Sequence, residues 1–429
     1  MFIKILVISH NPFSLTSNNG KTLEAIFKDY NKENLSQLFF SEMIPDTSYC
    51  DNYFRITDKN VIKNTICRNR NYYTNSFSNT HPLNNKDQVS KGQCLKEFVK
   101  NVPFIRDFLW ILGRWKIIPL FDWVTYNKPA CIFFVGGING FSHRIARYLA
   151  KKYNIPLVLY FTDDYLINPI SRNWSDSFQK MRMKRFYKKT IQQASLCFAI
   201  GDIMARTYQE YFGKSFYPIM NVVTLRDKLS PIEHEEYITI SYFGGLHLYR
   251  WKEILKLGKI FSSIQEENPS LPRIDFNVYT SHCSEENLKL FKEQNINYKG
   301  FVSNEKIVEE FSKADILLHV ESSDLYYRSL TKLSVSTKIP EYLSTGRCVL
   351  GFGPKEVASM RLLDENQVGF VVSSDADENI IKDKLKELIS STSLREELAN
   401  KAYIYACERF DPKKIRKDFM EKINKIVNI

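Results

Sequence analysis

Short apolar runs alternate along the chain with stretches whose apolar residues recur every three to four positions, the pattern of parallel strands covered by helices. In the first half the runs predict strands at Phe2–Ile8, Leu35–Phe40, Cys131–Val135, Pro156–Phe161, Ser195–Ile200 and Phe216–Ile219. Helical spacing fills the gaps, notably Phe141–Lys152, Gln179–Ala194 and Asp202–Phe212. After Asn221 a polar connector, LRDKLSPIEHEE, interrupts the rhythm. It restarts with Tyr237–Phe243, Ile274–Thr280, Ile296–Val302, Asp315–Val320, Cys348–Phe352 and Val368–Val372. The expected class is α/β, with one domain over 1–225 and a second over 236–410. Residues 411–429 carry a last helical pattern beyond the second sheet, which packs on either domain, the N-terminal one being the placement expected. The Asn-, Ser- and Lys-rich stretch 55–92 has little apolar periodicity and reads as a long mobile loop.

Composition narrows this only a little. A chain of 429 residues, 44% hydrophobic and 25% charged, suits two globular domains with sizeable cores. The net charge of +12 points to an anionic partner, but nucleic acid, an acidic membrane and phosphorylated substrates satisfy it equally. Eight cysteines without a CxxC pair or a Cys/His cluster indicate a reducing compartment and no structural zinc. The opening apolar run is too short for a signal-peptide core, and no window is long enough to span a membrane. A cytoplasmic location is expected.

The candidate chemistry of the second half lies in three βα connections. In ISYFGGLHLYRWKEILKLGKIF, Gly244 and Gly245 follow a strand and precede a helix. Backbone without Cβ atoms lets an anion approach, the helix start adds its positive end, and Arg250 and Lys252 add full charges suited to a diphosphate. A plain turn before a solvated basic helix fits the same residues. In SVSTKIPEYLSTGRCVLGFGP, Ser336 is an N-cap and Pro340 lies in the first turn of a helix. Its free N–H groups with Lys338 form a second phosphate-binding feature, and the Glu341 carboxylate suits a ribose. Between them, INYKGFVSNEKIVEEFSKADILLHVES puts Phe301–Val302 at the carboxyl edge of the sheet, where open α/β sheets bind ligands.

Taken in order, these three segments resemble the C-terminal half of GT-B glycosyltransferases, in particular glycosyltransferase family 4 and its bacterial capsule and exopolysaccharide relatives. The resemblance implies two Rossmann-like doubly wound domains facing a central cleft. It implies a donor site in which Arg250 and Lys252 hold the diphosphate of a nucleotide-sugar and act in catalysis. Val302 then touches the base, Glu341 binds the ribose, and Gly244, Gly245, Thr337 and Lys338 complete the donor set. One departure stands out: the family commonly has two glutamates eight apart, but eight residues before Glu341 stands Leu333. Glu321, Asp324 and Arg328 are the nearest substitutes for the missing sugar contact.

The resemblance extends through the first half, where only residues 41–95 lack a counterpart. HNPFSLTSNNGKTLEAIF occupies the place of the family's N-domain glycine loop, which assigns Gly20 and Lys21 to the donor and Asn18 to the acceptor. Alone, NNG is only a turn signal. After PLVLYF come Asp163 and Asp164 at a strand end, where charge is costly without purpose. They resemble a His-x-His-Asp-Asp-aromatic motif, with Phe161 and Thr162 where histidine is usual. As function, either orients or deprotonates an acceptor hydroxyl; the other reading is a cap for the following segment. CIFFVGGING adds Asn139 as an acceptor contact.

Two stretches suit a membrane surface. KEFVKNVPFIRDFLWILGRWKIIPLFDWV mixes apolar residues at helical spacing with Trp and cations, and QKMRMKRFYKKTIQQA carries six positive charges and no acid. A core helix and a solvated face are the other readings. The sum is a retaining, metal-independent glycosyltransferase of bacterial surface polysaccharide synthesis. It would take a UDP- or GDP-type donor and a glycan or lipid-linked acceptor, at the inner face of the cell membrane, with no cofactor and no nucleic acid. The alternatives are a nucleotide-sugar epimerase of the same fold and a nucleotide-sugar-binding component without turnover.

Overall fold

The computed structural model describes the chain apart from residues 1–2, 15–17, 47–48, 69, 76–102, 168–169, 172–173, 221, 224, 226, 231, 233–235, 304 and 428–429. Two compact units form: Met1–Ile167, Ser171–Ile219 and Arg416–Ile429 in the first, Asn168–Ile170 and Met220–Ile415 in the second.

The first unit is built on β1 (Ile5–Ser9), β2 (Leu35–Phe39), β3 (Asn52–Arg55), β4 (Cys131–Gly136), β5 (Leu157–Phe161), β6 (Leu196–Ala199) and β7 (Tyr217–Pro218). All pairs are parallel, in the spatial order β3, β2, β1, β4, β5, β6, β7. Every residue of β1, β2, β4, β5 and β6 is buried, because helices cover both faces. That explains why these strands read as largely apolar runs, with Ser36 and Gln37 of β2 and Ser9 of β1 as the buried polar positions. Phe419, on the helix Pro412–Val427, inserts among Phe27, Phe133 and Phe198 with ring centroids 5.5 Å apart in each case. The adjacent Arg416 Nε donates to the Ala25 carbonyl at 3.0 Å.

The loop expected from residue 55 begins instead as regular structure. Arg55 ends β3, Asp58–Ile66 is a helix, and Thr74 bridges back to Arg55. The helix starts with a capping box: Thr57 Oγ1 accepts from Asn60 N–H, and the Asn60 side chain accepts from Thr57 N–H at 2.9 Å. Its buried face consists of Val61 and Asn64, and Asn64 exchanges hydrogen bonds with the backbone of Tyr72. A buried asparagine contributes nothing to an apolar periodicity, so the pattern was invisible. Residues 76–92 of that stretch lie outside the described residues.

The second unit comprises β8 (Tyr237–Phe243), β9 (Arg273–Tyr279), β10 (Ile296–Gly300), β11 (Ile316–Val320), β12 (Cys348–Gly353) and β13 (Phe370–Ser373). These too are parallel, in the order β10, β9, β8, β11, β12, β13. Ile240, Leu257, Phe276, Ile316, Leu350 and Leu385 form the centre of its core. β10 stops two residues earlier than expected, because Gly300 takes the left-handed region (φ 76°) and the chain leaves the ladder there. In both units the first, second and third strands run outward one way and the fourth onward the other way. The order therefore reverses between β1 and β4 and between β8 and β11, the switch points where ligands of such sheets bind.

Candidate functional site

At the switch point of the second unit, β8 ends at Phe243 and the helix Arg250–Glu267 follows after six intervening residues. Packing against the buried Tyr242 requires the first glycine of this turn, whereas the neighbour of the second is the exposed side chain of His247. A Cβ on Gly244 would lie 2.7 Å from the Tyr242 hydroxyl, and one on Gly245 would lie 2.4 Å from His247 Nδ1. The Gly244 N–H donates to the Tyr279 carbonyl at 3.1 Å, and the Tyr242 hydroxyl donates to the Gly245 carbonyl at 2.8 Å. The left-handed positions of the turn are Leu248 (φ 59°) and Tyr249 (φ 60°) rather than glycines. Two adjacent non-glycine residues in that region are costly, and such strain persists where the surroundings over-determine the backbone.

Arg250 reaches across to the end of β11, where its Nη2 lies 3.2 Å from Glu321 Oε2. Glu321 Oε1 is 3.0 Å from His319 Nε2 on the same strand end, and both side chains are almost wholly buried. Burial alone would push the Glu321 carboxyl up, but Arg250 and His319 more than offset it and hold it at about 2. Gly353 makes room for this carboxylate, since a Cβ there would lie 2.9 Å from the Glu321 Cβ. The neighbouring Glu253 is buried and accepts from the Ser323 N–H at 3.0 Å, tying the helix start to the loop after β11. Lys252 is turned elsewhere: its Nζ stands 4.0 Å from the Tyr249 ring centroid, and it is exposed. The expected basic pair thus separates into one anchored guanidinium and one surface ammonium.

Lys338 and Glu341 lie on a helix of six residues, Lys338–Leu343, which is tied to the glycine turn through Tyr342. The Tyr342 hydroxyl accepts from the Phe243 N–H at 3.2 Å and donates to the Phe243 carbonyl at 3.1 Å. The structure therefore brings Gly244, Gly245, Arg250, Lys338 and Glu341 to one sheet edge. Free N–H groups at this helix start are a different matter. Lys338 N–H is taken by Ser336 Oγ at 3.3 Å, Ile339 N–H by the Ser336 carbonyl at 3.1 Å, and Pro340 has none. Positive charge here comes from the Lys338 ammonium, which pairs with Glu341 at 2.8 Å. Thr337 is exposed and makes no side-chain cap. Val302 is half-buried beyond the edge strand β10.

The three substitutes for the missing acid are each engaged. Leu333 itself is buried. Asp324 caps the helix Leu325–Thr331, accepting from the N–H groups of Tyr326 and Tyr327. Arg328 pairs with Glu356 and, at 2.8 Å, with Asp375. Glu321 faces Arg250 rather than solvent.

In the first unit the candidates lie after the carboxyl ends of β1, β4 and β5. Gly20 is in close contact with the Pro12 carbonyl, 2.5 Å from where its Cβ would be, on the helix Asn18–Phe27 that also carries Asn18 and Lys21. Asn139 is the half-buried residue before the helix Gly140–Tyr153, and its carbonyl accepts from Ser142 Oγ. Asp107, absent from the sequence-based set, accepts from the Phe141 N–H at 3.0 Å and pairs with Arg182, so that helix start already faces a carboxylate. No local sequence signal links residue 107 to residue 141.

The two acids after β5 differ in role. Asp164 is buried, and its Oδ1 accepts from the N–H groups of Leu166 (2.9 Å) and Ile167 (3.0 Å) and from the Tyr208 hydroxyl (2.9 Å). That is a turn-stabilising carboxylate. Asp163 is half-buried, near the Thr162 and Tyr165 hydroxyls at 3.1 and 3.3 Å, and burial pushes its carboxyl above the usual range.

Residues 259–421 match a family model described as glycosyl transferase-like. A variant of S. aureus TarM in complex with Fondaparinux, alpha-GlcNAc-glycerol and UDP is similar over 100% of both chains, at TM-score 0.60 and 10% identity. An E. coli structure described as trehalose-6-phosphate bound with UDP-2-fluoro glucose covers 98% of this chain and 99% of its own, at TM-score 0.59 and 9% identity. The fold is GT-B. An alpha,alpha-trehalose-phosphate synthase (UDP-forming) from Burkholderia vietnamiensis shares it, with TM-score 0.59, 10% identity and coverage of 99% and 100%. Among curated proteins none matches the chain in sequence. No helix among the described residues is long and apolar enough to cross a membrane, and no group of three or more His, Cys, Asp or Glu side chains among them is placed to hold a metal ion.

Proposed function

We propose that the chain is a glycosyltransferase that takes its sugar from a nucleotide-sugar. The carrying observation is Arg250, fixed by Glu321 at the β8/β11 switch point beside the glycine turn and the Lys338–Glu341 pair. A guanidinium held there meets a diphosphate with its geometry already set. Lys338 adds a second charge, and its partner Glu341 exchanges that contact for ribose hydroxyls when the donor binds. Lys252, Val302 and Thr337 line the outer donor contacts, and the family resemblance assigns Gly20 and Lys21 to the donor as well.

In this reading the diphosphate leaves as its charge is taken up by Arg250 and Lys338, with no metal needed for that purpose. The sugar is transferred with retention, and the leaving group itself helps receive the acceptor proton. Asp163 orients the acceptor hydroxyl, Asn18 and Asn139 contact the acceptor, and Asp164 holds the loop that carries Asp163. UDP and UDP-2-fluoro glucose in similar structures favour a UDP-sugar over a GDP-sugar. The resemblance to glycosyltransferase family 4 favours a bacterial surface glycan or its lipid-linked precursor as acceptor.

Incubation with a panel of UDP- and GDP-sugars, following nucleoside diphosphate release with and without lipid-linked acceptor, tests the reading. Donor-dependent release supports it, and the absence of both release and donor binding overturns it. A second reading, nucleotide-sugar binding without turnover, is favoured by Leu333 and by the prior engagement of Glu321, Asp324 and Arg328. Tight donor binding with no release under any condition would select it.

A further inference from the structure

The end of β11 carries a buried imidazole that the donor reading leaves without a role. His319 and Glu321 stand two residues apart there, so their side chains share one face of the sheet. On the neighbouring β12, Gly351 is in register with His319, and Gly353 makes room for Glu321. A Cβ at either glycine would lie 2.9 Å from the buried Met360, so the surroundings of the two polar side chains are packed and apolar. A polar group in such a place is costly unless it is hydrogen-bonded.

Each contact here has a fixed polarity. The Glu321 carboxylate only accepts, so the proton in its 3.0 Å contact with His319 is carried by His319 Nε2. The other oxygen of the same carboxylate accepts from Arg250 Nη2 at 3.2 Å. Arg250 Nε finds no partner among the described residues. The direction of the guanidinium therefore rests on Glu321 and on the Tyr242 hydroxyl beside it, which donates to the Gly245 carbonyl at 2.8 Å. A glutamate carboxylate by itself turns about a last torsion that is broad and roughly two-fold. Once His319 engages one oxygen, the other is left facing Arg250.

We infer that His319 is a positioning residue for the donor site: by holding Glu321 Oε1 it directs Glu321 Oε2 at Arg250, and so orients the guanidinium that meets the donor diphosphate. The inference rests on the donor reading above. Packing alone would be met by phenylalanine, which has a similar shape but leaves Glu321 Oε1 buried and unpaired. The imidazole N–H is what the carboxylate requires.

Ligand-observed NMR titration of the full chain with UDP, and separately with uridine, provides the test, with GDP and guanosine run in parallel. His319→Phe should weaken binding of the diphosphate by about three- to tenfold and leave the nucleoside unchanged, because only the diphosphate meets Arg250. His319→Gln, whose amide N–H takes the place of the Nε2–H, should bring diphosphate binding back towards the parent value. The side chain of His319→Asn is too short to reach Glu321 and should behave like His319→Phe, which keeps the comparison open if the phenylalanine variant does not fold. Equal weakening of diphosphate and nucleoside marks His319 as a purely structural residue and overturns the inference, as does unchanged diphosphate binding in His319→Phe or His319→Asn. A parent chain that binds neither UDP nor GDP overturns the donor reading itself, and the inference falls with it.

Discussion

Arg250 and Glu321, 71 residues apart in the chain, meet at 3.2 Å where β8 and β11 end side by side, and Glu321 has almost no exposure. The pair turns a surface cation into one with a fixed direction. Removing the carboxylate leaves a mostly buried guanidinium without its partner, a change that costs about 3–5 kcal/mol in comparable sites. Glu321→Ala is therefore expected to lower urea stability by that order and to weaken donor binding. Glu321→Gln, which keeps the shape and one acceptor, should recover part of both. Equal donor affinity in parent and Glu321→Ala would remove Glu321 from the site.

The same pair has a pH signature. The carboxyl is held at about 2, below its unfolded range, so its contribution is fully present above about pH 4.5 and is lost as pH falls towards 2. Acid unfolding of Glu321→Gln should accordingly lack part of the loss seen in the parent over that window. A parallel pair of acid-unfolding curves would contradict the assignment.

His143 gives the complementary case. It is fully buried between Thr190 Oγ1 and the Gly137 carbonyl, each at 3.0 Å, and burial lowers it to about 3. The unfolded chain binds a proton on this residue below about pH 6.5 and the folded chain does not. Stability therefore falls with pH from 6.5 downwards, by about 1.4 kcal/mol per unit from this group alone. Urea midpoints at pH 7, 6 and 5 should show a steeper decline for the parent than for His143→Gln.

Glu341 and Lys338 predict a donor effect without a folding effect. Both side chains are partly exposed, and their mutual contact at 2.8 Å is a surface pair of small value. Glu341→Ala should leave thermal stability nearly unchanged and weaken nucleotide-sugar binding by about 1.5–3 kcal/mol, the loss of a charged hydrogen-bond acceptor. Calorimetric titration with a UDP-sugar measures this, and an unaltered dissociation constant would sink the ribose assignment.

Asp163 and Asp164 separate by the quantity each controls. Asp164→Asn disturbs an acceptor of three hydrogen bonds and should lower stability by about 1–3 kcal/mol. Asp163→Asn should leave stability nearly intact and lower turnover more than donor affinity. The reverse pattern would exchange their roles.

Local pattern carried much of this protein. Runs buried on both faces are mostly apolar, so most strands were legible to within two residues, as were the helices at residues 140–153 and 412–427. Where a short element buried an asparagine or ended on a left-handed glycine, the sequence misled: Asp58–Ile66 and Gly300 are the instances. The chemical types at the candidate site were visible too, because glycines, Arg250, Lys338 and Glu341 stand at strand-to-helix connections that any doubly wound sheet gathers at one edge. Tertiary structure alone decided what each residue is doing there. It turned Arg250 inward to Glu321 and Lys252 outward to Tyr249, occupied the N–H groups before Pro340, and gave Asp164 three hydrogen-bond donors at the turn after β5. The reason is physical: composition and spacing fix which backbone forms and which face is buried. The partner of a charge, by contrast, comes from another strand end many residues away, and only the assembled sheet brings the two within hydrogen-bonding distance.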